Sequence, residues 1–162
     1  MRSLLDTLQL QAAGIAKFYE SMLGRKVLAT PIATFALATP NAHVVSEYLN
    51  DLGGVDAATA CDLRLACSAA AALTMIPAGV AQEAIRAGTL EGSLAENYRE
   101  LANVGASLFN KAGRPHINLR RMTLPKAALS SDLVQALPSF KRLVLDVEIA
   151  GYPGGKIAFF YR

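Results

Sequence analysis

The chain has only two cysteines and two histidines in 162 residues, and each scarcity closes off a class of function. Cys61 and Cys67 form no Cys-x-x-Cys pair, and neither His43 nor His116 has partners at ligand spacing, so no metal centre of its own is expected. Both cysteines fall in a stretch that reads as strand, where residues six apart are too distant for a disulfide. Free, buried thiols are the expectation. Long apolar runs are also missing. Although 52% of the residues are hydrophobic, Arg, Asp, Glu, Gln or Gly interrupts every stretch before it reaches membrane-spanning length. No membrane insertion is expected. The first 23 residues mix Asp6, Gln9, Gln11, Lys17 and Glu20 with apolar residues, unlike the continuous apolar centre of a signal peptide, which points to a cytoplasmic protein.

Charge of one sign is not in excess: 16 basic residues stand against 13 acidic ones. The densest basic cluster, Arg114, His116, Arg120 and Arg121, has no aromatic residues interleaved with it. It reads as a solvated strand face, and no nucleic-acid partner is expected. No Ser-His-Asp arrangement is persuasive. Linkers, low-complexity segments and internal repeats are absent, so residues 1–162 read as one domain, long enough to bury a substantial core.

Apolar residues at helical spacing predict a first helix over 3–23, closed by Gly24. Residues 27–38 are rich in β-branched and apolar side chains, with Pro31 and Pro40 pointing to a strand near a sheet edge. Residues 41–56 are ambiguous: Val44, Val45, Tyr48 and Leu52 fit a short helix, while Asn50-Asp51 and Gly53-Gly54 are turn chemistry. Alternation of Cys61, Leu63 and Leu65 against Asp62 and Arg64 suggests a hairpin over 57–76, turning at 66–70, although the alanines there also suit a helix. Pro77 opens a second helix that Gly88 ends.

The clearest element is a helix over 93–112. Ser93 and Glu96 form a capping box, Leu94, Tyr98, Leu101, Gly105 and Leu108 supply the buried stripe, and Gly113 and Pro115 terminate it. Residues 117–124 read as extended and 130–137 as a helical turn. A final hairpin joins 141–150 to 156–161 through Gly151, Pro153, Gly154 and Gly155. That glycine cluster links two strands instead of opening a helix, so it is a turn and not a phosphate cradle. Helices and antiparallel strands in this order make an α+β fold, with long helices packed on a largely antiparallel sheet.

The most informative residues are Glu-Leu-Ala-Asn, Glu100 to Asn103, within the 93–112 helix. Residues three apart are angular neighbours on a helix, so Glu100 and Asn103 point the same way, with Ser107 continuing the row. A carboxylate and a carboxamide on one face can reach a partner's reactive site together. Such a pair also occurs as ordinary solvated residues on the outside of a core helix, and four-residue patterns recur by chance.

The stretch Glu-Leu-Ala-Asn-Val-Gly-Ala-Ser, residues 100–107, resembles the Glu-x-x-Asn helix of the CheC and CheX chemotaxis phosphatases, whose fold is shared with flagellar switch proteins. The layout of an N-terminal helix, a hairpin with small residues and a glycine-turned C-terminal hairpin is similar to that family over most of the chain. Only one copy of the motif lies on a strong helix, which is closer to the single-motif CheX type; Ala102 stands where the family often has glycine.

The resemblance implies a CheC/CheX-like fold and hydrolysis of the aspartyl phosphate on a receiver domain of a CheY-like response regulator. On this carry-over Asn103 orients the attacking water, and Glu100 bonds a receiver lysine and holds the helix in register. No cofactor of its own is implied, because any Mg2+ belongs to the receiver. The alternative is a catalytically inactive CheC-fold interaction or dimerisation module. A strand such as 156–161 could then extend the sheet into a homodimer.

Overall fold

The computed structural model describes residues 10–33, 35–37, 41–110 and 116–162. In chain order the elements are α1 (Ala12–Leu23), β1 (Val27–Pro31), β2 (His43–Asn50), β3 (Val55–Asp62), α2 (Leu63–Leu73), α3 (Ala78–Ala87) and α4 (Gly92–Val104). A 3-10 turn (Gly105–Leu108) follows α4. Then come β4 (Ile117–Thr123), α5 (Ser131–Ala136) with a 3-10 turn (Leu137–Ser139), β5 (Lys141–Ile149) and β6 (Tyr152–Tyr161). The described strands form one six-stranded sheet in the order β1-β5-β6-β3-β2-β4, with every pairing antiparallel. The expected α+β fold of helices on a largely antiparallel sheet is what forms.

That order has an internal two-fold logic. Exchanging α1-β1-β2-β3 with α4-β4-β5-β6 maps the sheet onto itself about the central β3/β6 pair, so α1 and α4 are counterparts. The sequence carries no matching repeat, because the halves share strand pairing and not residue identities. Among the described residues α4 alone of this pair contains asparagine.

Apolar side chains cover both sheet faces. Val44, Tyr48, Cys61, Leu145, Ile157 and Phe159 pack with α1 to α4, whereas Val45, Ala58, Val144, Ala158 and Phe160 pack with α5 and with Ile32, Phe35 and Leu37. This explains the ambiguity of 41–56. Five consecutive β2 residues, Val44 to Tyr48, are buried, so the strand lacks the polar/apolar alternation of a half-exposed one. The turn after β2 is organised by Asn50, whose Oδ1 accepts from the Leu52 and Gly54 amides and whose Nδ2 donates to Asp56.

The expected hairpin over 57–76 is instead a strand followed directly by a helix. Strand β3 stops at Asp62, whose carboxylate accepts from the Leu65 amide at 2.8 Å and so caps α2. Residues 65–72 are all buried, as in a helix enclosed on every side, and its alanines allow close approach by neighbouring elements. Three helices, and not two, therefore separate β3 from β4. Helix α3 spans the expected range and ends at Gly88, which adopts the left-handed conformation. Strand β1 occupies the expected sheet edge but ends at Pro31, short of the predicted residue 38: residues 32, 33 and 35–37 belong to no strand, and residue 38 lies outside those described. The first helix begins at Ala12, later than predicted, and its expected part before residue 10 lies outside the described residues.

The final hairpin is tighter than expected. Ile149 pairs with Tyr152, leaving Ala150 and Gly151 as the turn, and Gly154 and Gly155 lie within β6. Their glycine character answers close packing. A Cβ on Gly155 would sit 2.2 Å from Asp62 Oδ1 and 2.7 Å from Leu65 Cβ. Strand β6 is central, with β5 on one side and β3 on the other, so a homodimer made by adding strands to 156–161 is excluded. The edges available for such addition are β1 and β4. Among the described residues no helix is long and apolar enough to cross a membrane.

Cys61 on β3 and Cys67 on α2 are free and fully buried, as anticipated, although on different elements. Burial pushes the Cys61 thiol well up and the Cys67 thiol up to about 11. At pH 8 a thiol reagent should leave both unlabelled in the native protein and react with both once urea unfolds it; rapid native labelling would contradict this packing. Gly155→Ala should lower stability by about 1–3 kcal/mol in urea unfolding. Gly79→Ala on α3, where the new Cβ meets open space, should cause no loss.

Candidate functional site

Helix α4 buries Leu94, Tyr98, Leu101 and Ala102 and leaves Glu96, Arg99, Glu100 and Asn103 exposed. The spacing of those apolar residues dictates this orientation: positions 94, 98, 101 and 102 form one stripe, so positions 96, 100 and 103 must face away. Its start differs from the expected capping box. Glu91 is the N-cap, Gly92 enters with a left-handed φ of 59°, and no side chain caps the first turn. Gly92 lets the chain turn into the helix one residue early, placing Ser93 inside it. Asn97 ties α4 to α2, donating to Ala70 O at 2.9 Å and Thr74 Oγ1 at 2.8 Å.

The regular helix ends at Val104, earlier than residue 112, and the chain tightens into the 3-10 turn, where Ser107 is exposed. The predicted terminators Gly113 and Pro115 lie outside the described residues. Asn110 secures the far side of this region to β4, donating to Ile117 O and accepting from the Ile117 amide.

Glu100 and Asn103 thus lie one turn apart on a solvent-facing surface. Neither side chain has a hydrogen-bond or ion-pair partner among the described residues. Their full bonding capacity faces outward: two carboxylate oxygens on Glu100, and one carbonyl and one amide group on Asn103. Such a surface can engage the polar centre of a second molecule; it does not enclose a small substrate.

Beneath it lies a group of residues whose meeting the sequence did not predict. Tyr48 on β2 donates from its hydroxyl to Ala102 O at 2.6 Å, and Phe18, Tyr19, Tyr98 and Gly105 line the same small internal space of about 20 Å³. Burial pushes the Tyr19, Tyr48 and Tyr98 phenols up, so all three remain neutral donors at ordinary pH. The only signal that could have located Tyr48 was β2 itself, which its two buried faces disguised.

A separate cleft of about 530 Å³ is lined by Phe35, His43, Asp62, Arg142 and Lys156, and holds neither Glu100 nor Asn103. His43 packs against Phe35 with the rings tilted and their centroids 4.7 Å apart, and burial lowers its pKa against an opposing pull from Asp62. Asp62 is committed to backbone amides. Its Oδ1 serves Leu65 and its Oδ2 accepts from Lys156 N at 2.9 Å. Among the described residues no group of three His, Cys, Asp or Glu is placed to hold a metal ion.

No family model and no curated protein matches the sequence. Solved structures do match over nearly the whole chain. FliY of Thermotoga maritima superposes with a TM-score of 0.51 at 15% identity, covering 95% of this chain and 84% of that one. The FliM middle domain of H. pylori gives 0.51 at 8% identity, covering 99% and 93%. A chain of the H. pylori FliG–FliM complex gives 0.55 at 10% identity, covering 99% and 94%. These middle domains have the CheC-like fold, and this chain shares it.

The division of α4 into two faces has a direct test. Leu101 is 3% exposed, so Leu101→Ala should cost about 2–5 kcal/mol in urea unfolding. Asn103→Ala and Glu100→Ala remove no internal contact and should stay within about 0.5 kcal/mol of wild type. A large loss at Asn103 would mean that its side chain serves the fold.

Proposed function

We propose that the chain is a response-regulator aspartyl-phosphate phosphatase of the CheX type, acting in the cytoplasm on the phosphorylated receiver domain of a CheY-like regulator. The observation that carries this reading is the open placement of Glu100 and Asn103, without partners among the described residues and one turn apart on a closely packed helix. A covered pair could not reach a receiver's acyl phosphate.

The chemistry suits the residue types. Water is the nucleophile, and the carbonyl of Asn103 accepts one of its hydrogens while adding no charge beside an already anionic phosphoryl group. An aspartate in that place would repel. Glu100 pairs with a lysine of the receiver and sets the register of α4 over the site, so that binding energy is turned into orientation. Any Mg2+ is the receiver's, and this chain supplies no cofactor.

A second reading is favoured by the fold neighbours and by the open sheet edges: a catalytically silent protein-binding module. One neighbour is seen in a FliG–FliM complex, and strand addition at β1 or β4 offers this chain a route to a partner or to a second copy. Fold alone does not choose between the readings.

Loss of acyl phosphate from a panel of phosphorylated receivers, with and without the protein, separates them. Wild type should accelerate the loss from at least one receiver, and Asn103→Ala should reduce the acceleration by on the order of 10²-fold. Glu100→Ala should chiefly raise KM. Acceleration that survives Asn103→Ala would reject the assigned role, and no acceleration with any receiver would leave the binding module.

A further inference from the structure

We infer that Tyr48 is a positioning residue for Asn103, holding in place the peptide unit from which the asparagine projects. This inference rests on the phosphatase reading for its functional consequence. The carbonyl of Ala102 and the amide of Asn103 belong to one planar peptide group, so a bond to the first orients the backbone entry to the second. Tyr48 supplies that bond from the sheet, 54 residues away in sequence, at 2.6 Å and in a buried setting.

The bond falls where α4 most needs one. Carbonyls in the last turn of a helix lose their regular partners. Here the Gly105 amide reaches Leu101 O and Asn103 O as the chain tightens into the 3-10 turn, while Ala102 O receives the tyrosine. The 3-10 geometry therefore begins at Gly105, two residues beyond Asn103, and Tyr48 pins its near side.

Tyr48 is itself immobilised. Its side chain is 1% exposed, its ring lies 5.2 Å from that of Phe109, and Phe109 lies 6.0 Å from Phe159 on β6. Burial pushes the phenol's pKa up against an opposing pull from Thr59 on β3 and keeps the group protonated. The hydroxyl proton is thus available to Ala102 O throughout the working pH range. Three strands of the sheet converge on the placement of one helical peptide, the support that a water-orienting amide requires.

Tyr48→Phe removes the hydroxyl and keeps the ring. Receiver dephosphorylation should show kcat lowered by about tenfold with KM unchanged, and no further loss when the change is added to Asn103→Ala. Val147→Ala, a core truncation on β5 far from this bond in the chain, serves as the control for general destabilisation and should leave kcat unchanged. Amide hydrogen exchange should rise about tenfold at Asn103 and Val104 in Tyr48→Phe, and not at α1 or in the Val147→Ala control. Kinetics and exchange indistinguishable from the control would overturn the inference. If wild type acts on no receiver, the phosphatase reading has failed and exchange alone decides: a rise confined to 103–104 upholds Tyr48 as the support of Asn103, and no rise overturns it.

Discussion

The carboxylate of Asp62 is the joint on which the arrangement of sheet and helices depends. It ends β3, caps α2 through the Leu65 amide and accepts from the Lys156 amide of β6, so three elements meet at one side chain. Two backbone donors share its negative charge, which sits at the positive end of the α2 dipole. The meeting is close enough that β6 must present Gly155 there, because a Cβ would occupy the space of the carboxylate. Arg64 adds a bond from its Nε to Gly154 O at 2.8 Å, tying the first turn of α2 to the same strand. With that joint set, α2 lies along the central strands as an enclosed helix.

The outer helices take their places from α2. Its small side chains let α3 and α4 pack closely, and Asn97 locks α4 in register through Ala70 and Thr74. The apolar stripe of α4 then turns inward, and Glu100 and Asn103 are left facing out. From the sheet, Tyr48 reaches the end of the same helix. The exposed pair is therefore carried on a part of the molecule held by both neighbouring layers, and any rigidity useful to a docking surface comes from the core beneath it.

The likeness to FliM and FliY middle domains concerns this scaffold, and at 8–15% identity it speaks to fold alone. A two-fold topology that places α1 and α4 in equivalent positions offers two helices on which a site can be built. Of these two helices, among the described residues, only α4 combines an acid and an amide on its open face. The fold displays these side chains without requiring them, and a function transferred from the fold would overlook them.

Local pattern was enough to locate much of this structure. The stripe of Leu94, Tyr98, Leu101 and Leu108 specifies an amphipathic helix and the outward direction of Glu100 and Asn103, since 3.6-residue periodicity leaves them no other face. Gly24 and Gly88 mark helix ends, and the last hairpin is legible in its apolar runs and glycines. Tertiary structure decided the rest. The stretch 63–73 is a helix because Asp62 caps it and because neighbours on every side bury its alanines; its residues alone fit strand or helix. Likewise, β2 is recognisable only once both faces of the sheet are covered, and with it Tyr48, whose bond to Ala102 spans 54 residues of chain. The sequence by itself determined which helix face is exposed, because periodicity is a local property. Only the folded molecule decided what stands behind that face, because the hydrogen bond that supports it joins segments with no local relation.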